Sequence, residues 1–317
     1  MPVTAGIDLG GTKIQVVVVA NRKVVGQARH PTPQTNAADV MAEIVVSVRE
    51  ALSSASARIG DLRAVGIGTP GTVDSATGHV SRSANVPGFM DDVALGPTLS
   101  RGLARRPVTV DNDVRVAVMG EYRRGAGRPY RNLLGVFIGT GVGGGLILEG
   151  KLRHGRGSAG EIGHTVVKPG GRRCPCGRRG CAEAYAGRLA LEGAARRKHE
   201  KGAKTILFEI MEQKGRDHFS SSVIADALEK GDKLTTSLIA QAVTGLGIAI
   251  SNAQNLLDLE AIIIGGGLGD RLGEPFVRRI ETAMKPNLHT PDNPPVVLST
   301  ELQDLSGAVG AAVIAGG

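Results

Sequence analysis

Residues 6–19 read Gly-Ile-Asp-Leu-Gly-Gly-Thr-Lys-Ile-Gln-Val-Val-Val-Val, and residues 133–148 read Leu-Leu-Gly-Val-Phe-Ile-Gly-Thr-Gly-Val-Gly-Gly-Gly-Leu-Ile-Leu. Each is an apolar run, a glycine-rich turn and a second apolar run. That is the pattern of an antiparallel hairpin whose tip exposes bare backbone amides. A further short strand pattern follows each hairpin, at Lys23 to Arg29 and at Lys151 to Arg153. Such repetition points to a duplication and to two domains of like topology.

Working outward, apolar residues at helical spacing predict a helix over Ala37 to Ser53. Short buried strands are expected at Ala64 to Gly68 and at Pro107 to Val110, then a helix from Asp113 to Tyr122 opened by Asp111-Asn112-Asp113 as a cap. Leu234 to Leu257 has the length of a core helix and feeds a strand, Ala261 to Ile264, that ends in Gly265-Gly266-Gly267. The small apolar residues Ser306 to Ile314 suit a tightly packed closing helix. Strands alternating with helices give an α/β class. The expected limits are a small N-terminal domain of residues 1–113 plus 305–317 and a larger C-terminal domain of residues 114–304.

At 317 residues the chain is long enough for two well-buried cores. Glycine is abundant at 46 residues, and aromatics are only 3% of the chain. This composition favours tight turns and close backbone approach to ligands over a nucleic-acid stacking surface. The formal charge of +8 comes from scattered basic residues. The densest clusters, Arg172, Arg173, Arg178 and Arg179, and Arg196-Arg197-Lys198, read as solvated faces, so no nucleic-acid partner is expected. The N-terminus lacks the pattern of a signal peptide, and no uninterrupted apolar run reaches the roughly 18 residues of a membrane span. A cytoplasmic protein without a membrane partner is expected.

All three cysteines, Cys174, Cys176 and Cys181, lie within eight residues, and His164 stands ten residues before the first. Three thiolates and an imidazole form a closed ligand set for a structural Zn²⁺, with no cysteine left for a disulfide or a nucleophile. Glu161 and Glu183 flank the ligands, so a zinc clamp would hold two carboxylates and an imidazole edge in one polar pocket. A plainer reading is a knuckle that only staples a loop.

The glycine patterns are weak singly. Gly66-Ile67-Gly68-Thr69-Pro70-Gly71 matches a dinucleotide fingerprint by letter, but the residues after it read as turn and strand where a helix is required. Gly145 through Gly150-Lys151 nearly matches a P-loop, yet Leu152 replaces the magnesium-binding hydroxyl and no helix follows. What remains is phosphate binding by hairpin tips, with Gly10, Gly11 and Thr12 on one and Gly139 to Gly144 on the other. Asp8, at the end of the first strand, is placed to hold Mg²⁺ through water. Two plain structural hairpins are the alternative.

Taken together, these residues resemble the ROK (repressor, open reading frame, kinase) sugar kinases of the actin and hexokinase ATPase superfamily. Asp8-Leu9-Gly10-Gly11-Thr12-Lys13 is similar to the family's first phosphate motif and Gly139 to Gly145, with Thr140 and Gly141, to its second. Gly265-Gly266-Gly267 resembles the adenosine-side loop. Glu161-Ile162-Gly163-His164 followed by Cys-x-Cys-Gly-x-x-Gly-Cys-x-Glu resembles the zinc and sugar signature without a gap, and Asn112-Asp113 stands where the family carries its catalytic carboxylate.

The resemblance implies a two-domain actin/hexokinase-like (ribonuclease H-like) ATPase fold and an ATP-dependent hexose kinase, a glucokinase acting on the 6-hydroxyl of glucose with Mg²⁺ accompanying ATP. Asp113 is the implied base. Asn112, Glu161, His164 and Glu183 are expected to hold ring hydroxyls, with Gly71 and Asn85 also lining the sugar site. Two domains joined near Asp113 are expected to close on both substrates and exclude water. The chain begins at the first strand, without the helix-turn-helix of the family's repressors, and so resembles the kinase branch. Polyphosphate-dependent relatives generally lack the cysteine cluster, which favours ATP as donor. A kinase for another sugar (N-acetylmannosamine, N-acetylglucosamine, fructose or allose) and a non-catalytic sugar sensor are the alternatives. A homodimer or homotetramer is expected.

Overall fold

The β-branched run of residues 16–19 leaves no polar face, so its strand must be covered on both sides; Ile14, Val16, Val17 and Val18 are fully buried. A computed structural model describes residues 2–316. It divides by compactness into two units: residues up to Pro129, His154–Ala159 and from Asp304 onward form the first, and Tyr130–Arg153 with Gly160–Gln303 the second. The expected limit at Asp113 falls before a helix that the compact first unit retains.

The first unit contains β1 (Val3–Leu9), β2 (Lys13–Ala20), β3 (Lys23–Pro31), α1 (Ala37–Ser54), β4 (Leu62–Thr69), β5 (Thr72–Asp74), β6 (His79–Ser81), α2 (Leu95–Gly102), β7 (Val108–Asn112) and α3 (Asp113–Arg124). The second contains β8 (Leu133–Ile138), β9 (Val142–Leu148), β10 (Lys151–Arg153), α4 (Glu183–Ala186), α5 (Arg188–His199), α6 (Leu207–Gln213), α7 (Ser221–Glu229), α8 (Lys233–Leu257), β11 (Ala261–Gly265), α9 (Gly266–Met284) and β12 (Val296–Ser299). The last helix, α10 (Ser306–Ile314), belongs to the first unit.

One topology occurs twice. The first sheet runs β3-β2-β1-β4-β7 and the second β10-β9-β8-β11-β12. In each, two antiparallel pairings are followed by two parallel ones: β4 joins β1 and β7, as β11 joins β8 and β12. Both sheets therefore present a hairpin tip and the ends of central parallel strands on the same edge, where ligands of open α/β sheets bind.

The small residues of α10 permit backbone contact with its neighbours. A Cβ at Gly66 of β4 would lie 1.7 Å from the Ala311 carbonyl oxygen, and one at Gly310 would lie 1.7 Å from that of Val116 on α3. The fully buried Glu121 of α3 accepts the Ser306 hydroxyl at 2.7 Å, fastening the start of α10.

In the second unit, α8 runs through the core, burying Leu238, Ile239, Leu246 and Ile250. By length and composition it alone among the described helices is apolar enough to cross a membrane, which the sequence reading overlooked. However, 67% of its apolar window is buried against its own unit, as befits a core helix. The glycines expected as a loop after β11 differ from that reading: Gly265 ends the strand and Gly266 already starts α9. Gly266 turns the chain with φ +81°, and a Cβ there would lie 2.6 Å from the Ile138 nitrogen.

Candidate active site and metal centre

In the first unit the chemistry gathers at the ends of β1, β4 and β7. β7 runs into α3 without a loop, and Asn112 caps the helix: its Oδ1 accepts the amides of Val114 (3.1 Å) and Arg115 (3.2 Å). The three-residue cap expected from sequence thus resolves into three separate tasks. Asn112 caps. Asp113 presents its Oδ1 to Asn112 Nδ2 and to its neighbour's amide at Val114, both at 2.9 Å. Asp111 turns inward, 4% exposed, to receive Arg115 Nε at 2.8 Å, His154 Nε2 at 2.7 Å and the Asn112 amide at 2.7 Å. Arg115 in turn donates to the Gly157 carbonyl at 3.0 Å, so segment 154–159 braces the corner that holds Asp113.

The tip of the first hairpin approaches this corner from β1. The Gly10 amide donates to the Lys13 carbonyl at 2.9 Å, while the Gly11 and Thr12 amides donate to no described residue. Gly11 packs on the backbone of the 83–89 turn, where a Cβ would lie 2.3 Å from the Asn85 carbonyl oxygen. Gly71, with φ +106°, abuts the Ser81 carbonyl and Ser83 of the same region. The first unit therefore brings Gly11, Gly71 and Asn85 together. Within the turn, the Ser83 hydroxyl is buried without a hydrogen-bond partner among the described residues. Nothing in the sequence marked this serine as more than a turn residue.

Asp8 is the electrostatic centre of the tip. Burial pushes its carboxyl up to about 6; Lys13 opposes the rise, and the negative charges of Asp113 and Asp304 add to it. Lys13 is itself drawn to Asp304, with which it pairs, and to Gln15 Oε1 at 3.0 Å.

In the second unit the hairpin tip is built alike, with Gly139 N–H on the Gly141 carbonyl at 2.9 Å and the Thr140 and Gly141 amides donating to no described residue. Beside it lie the cysteine loop and a one-turn 3₁₀ helix, Ile162–His164. The ligand atoms of His164, Cys174, Cys176 and Cys181 all lie within 4.8 Å of one another. Cys174 Sγ is 3.7 Å from His164 Nδ1, and Cys176 Sγ is 3.7 Å from Cys181 Sγ. A tetrahedral ion with Zn–S bonds of about 2.3 Å sets its sulfurs roughly 3.75 Å apart, so the four groups fit a structural zinc. Desolvation opposes ionisation of Cys176, but the Arg178 amide and guanidinium and the two neighbouring thiols bring its pKa down to about 6.

Glu183 Oε2 accepts the Val142 amide at 2.9 Å and its Oε1 lies 3.7 Å from Cys174 Sγ, so this carboxylate ties the cysteine loop to the hairpin tip. Glu161 is exposed, with its carbonyl accepting the His164 amide at 3.0 Å. Arg172 departs from the solvated face expected of it: it lies over the Tyr185 ring at 4.8 Å and donates to Gln241 at 2.6 Å.

The ROK family profile matches residues 4–317. A glucokinase of Halalkalibacterium halodurans is 33% identical over 89% of this chain and 86% of its own length. An N-acetylmannosamine kinase of Vibrio vulnificus is 29% identical, covering 97% of this chain and 94% of its own. A crystal structure of a ROK family glucokinase from Streptomyces griseus, in complex with glucose and AMPPNP, superposes with a TM-score of 0.83 at 31% identity, covering 99% of both chains. On the match of nearly its whole length, with the duplicated sheet and the Cys₃His loop in place, the chain belongs to the ROK family.

Proposed function

We propose that this ROK sugar kinase, a phosphotransferase with an alcohol acceptor, is an ATP-dependent glucokinase that phosphorylates the 6-hydroxyl of glucose. The observation that carries the reading is the corner of β7 and α3. Asn112 caps the helix and holds the Asp113 carboxylate through Nδ2, and that positioned carboxylate is the proposed base. It takes the proton of the sugar hydroxyl as that oxygen bonds to the γ-phosphorus; the bond from phosphorus to the β–γ bridging oxygen breaks and ADP leaves. Little covalent help is needed in such a transfer, so positioning and charge dominate. Asn112, Asn85, Gly71 and the buried Ser83 hydroxyl are the hydroxyl-binding groups proposed on the first unit, and Glu161 and His164, with one oxygen of Glu183, those proposed on the second.

His164 faces the metal centre through Nδ1, which leaves Nε2 for a sugar hydroxyl. Zinc, when bound, stabilises the loop and orients that imidazole. Glu183 also couples this loop to the hairpin tip. Gly10 to Lys13 and Gly139 to Gly141 are proposed to receive donor phosphates, and Gly266-Gly267 to leave room for the nucleoside. Mg²⁺ arriving with ATP suits Asp8, whose buried carboxyl gains from an added cation. A cytoplasmic homo-oligomer is proposed from the nature of the family.

Glucose is favoured over an N-acetylated hexose by the higher identity to glucokinases, 33% and 31% against 29%. A coupled assay with Mg·ATP across glucose, N-acetylmannosamine, N-acetylglucosamine, fructose and allose decides. The largest kcat/KM is expected for glucose. A preference for N-acetylmannosamine would replace the substrate and keep the chemistry, whereas no sugar-dependent ADP release would defeat the kinase reading.

A further inference from the structure

Arg188 opens α5 directly behind the second hairpin. Its amide donates to the Gly139 carbonyl at 3.0 Å, and the next amide, Leu189, donates to that of Thr140 at 3.2 Å. The side chain is placed as firmly as the backbone. One terminal nitrogen donates to Thr140 Oγ1 at 3.0 Å and the other to Ser221 Oγ at 3.4 Å. Ser221 stands at the start of α7, its Oγ 3.5 Å from where a Cβ of Gly267 would lie. The guanidinium therefore lies between the glycine tip after β8 and the glycine start of α9.

The charge balance of this position is unusual. Arg188 is half-buried, and no carboxylate among the described residues makes an ion pair with it. Burial lowers its pKa from the ordinary arginine value, and only the field of Glu192 works the other way. A guanidinium offers five N–H donors in a planar fork, and two neutral hydroxyls occupy a minority of them. A cation withdrawn from water with only neutral dipoles as partners costs stability, a cost offset when an anion joins it. The adjoining tip is open: a Cβ on Gly139 would meet nothing within 4 Å beyond its chain neighbours. The fork matches phosphate oxygens in pairs, and the two unengaged amides at Thr140 and Gly141 add donors of the same kind.

We infer that Arg188 is a phosphate-binding residue of the donor site, a cation that recognises the phosphate chain of the nucleotide and sets the preference for charged over uncharged nucleosides. The inference rests on the sugar-kinase reading and adds a residue that none of the glycine motifs contains. A role as a mere tie between Thr140 and Ser221 makes a different prediction, because neutral donors suffice for a tie.

Calorimetry on the full chain separates the two, with ADP and adenosine as probes and the wild type, Arg188→Gln and Arg188→Lys as proteins. Glutamine retains a hydrogen-bond donor without the charge. Arg188→Gln is expected to bind ADP about 10- to 100-fold more weakly, the range of one charge-assisted hydrogen bond or two, with adenosine affinity, sugar KM and melting temperature close to wild type. Arg188→Lys, which keeps the charge and loses the fork, is expected to fall between. It carries the test alone, as a loss for ADP and not adenosine, if the glutamine variant does not fold. ADP affinity within twofold of wild type, or equal losses for ADP and adenosine, would overturn the inference. If the wild type neither phosphorylates a sugar with ATP nor binds ADP, the kinase reading fails instead; an active wild type whose variants keep ADP affinity sinks only the role of Arg188.

Discussion

The hairpins β1–β2 and β8–β9 are one design built twice, with the same sheet order behind them and the same pair of unengaged amides at the tip. They differ in how charge reaches the tip. In the first, acid and base sit on the hairpin itself, Asp8 at the end of β1 and Lys13 at the start of β2, and Gly11 is pressed against the turn that carries Asn85. In the second, the hairpin is neutral. Its ionic groups come from outside: Glu183, fixed beside the metal loop, on the Val142 amide, and Arg188 on the Thr140 hydroxyl. A duplicated backbone thus repeats the position of a glycine tip, while later segments bring different side chains to it. The first half adds the 70–94 region and the Asp113 corner, which suit proton and hydroxyl chemistry. The second adds the cysteine loop and α5, which suit metal and phosphate.

The most severe way to break this division is at the proton. Asp113→Asn should leave fold and sugar affinity nearly intact while kcat falls by at least about 10²-fold, since a positioned base contributes roughly 10²–10⁴. A variant that keeps more than about a third of the wild-type kcat would place the base elsewhere. Next in size is the metal of the second half. Purified protein should hold one zinc per chain. Cys176→Ser should lose most of it and raise the sugar KM by about tenfold or more, beyond any fall in melting temperature. Metal analysis without zinc, or an unchanged KM in the zinc-poor variant, would reduce the loop to a staple. A smaller effect contrasts the tips themselves. Gly11→Ala forces a Cβ to within 2.3 Å of a backbone oxygen, whereas Gly139→Ala meets nothing within 4 Å. Thermal melts should show a loss of about 1–3 kcal/mol for the first and little change for the second. Equal melting temperatures would mean that the first tip is as unconfined as the second.

How much of this was legible depended on sequence distance. The hairpins, the core helix α8 and the closing helix α10 are periodic or compositional and fall where the residues pointed. The Cys₃His set was readable because its members are near neighbours along the chain. Interactions that join remote segments were not. His154 meets Asp111 across 43 positions, Arg188 meets Thr140 across 48, and Glu183 meets the Val142 amide across 41. None of these pairs has a local signal, since an Asp before a helix reads as a cap and an Arg at a helix start reads as surface. The cap itself was ambiguous for a physical reason: three consecutive residues can all accept a helix amide, and in the fold Asp111 turns to Arg115, Asp113 takes the Val114 amide, and Asn112 takes those of both Val114 and Arg115.

The donor tests the reading most directly, because the basic surface and the glycine tips favour different ones. The chain's charge of +8 suits a long polyanion, while compact glycine tips, with Gly266-Gly267 leaving room for a nucleoside, suit a nucleoside triphosphate. Initial rates of glucose 6-phosphate formation should be measured side by side with Mg·ATP and with polyphosphate. Sugar-dependent turnover with ATP is predicted, with polyphosphate supporting less than about a tenth of that rate, a barrier difference of about 1.4 kcal/mol. Equal or faster turnover with polyphosphate would contradict it and assign the donor site to the basic surface.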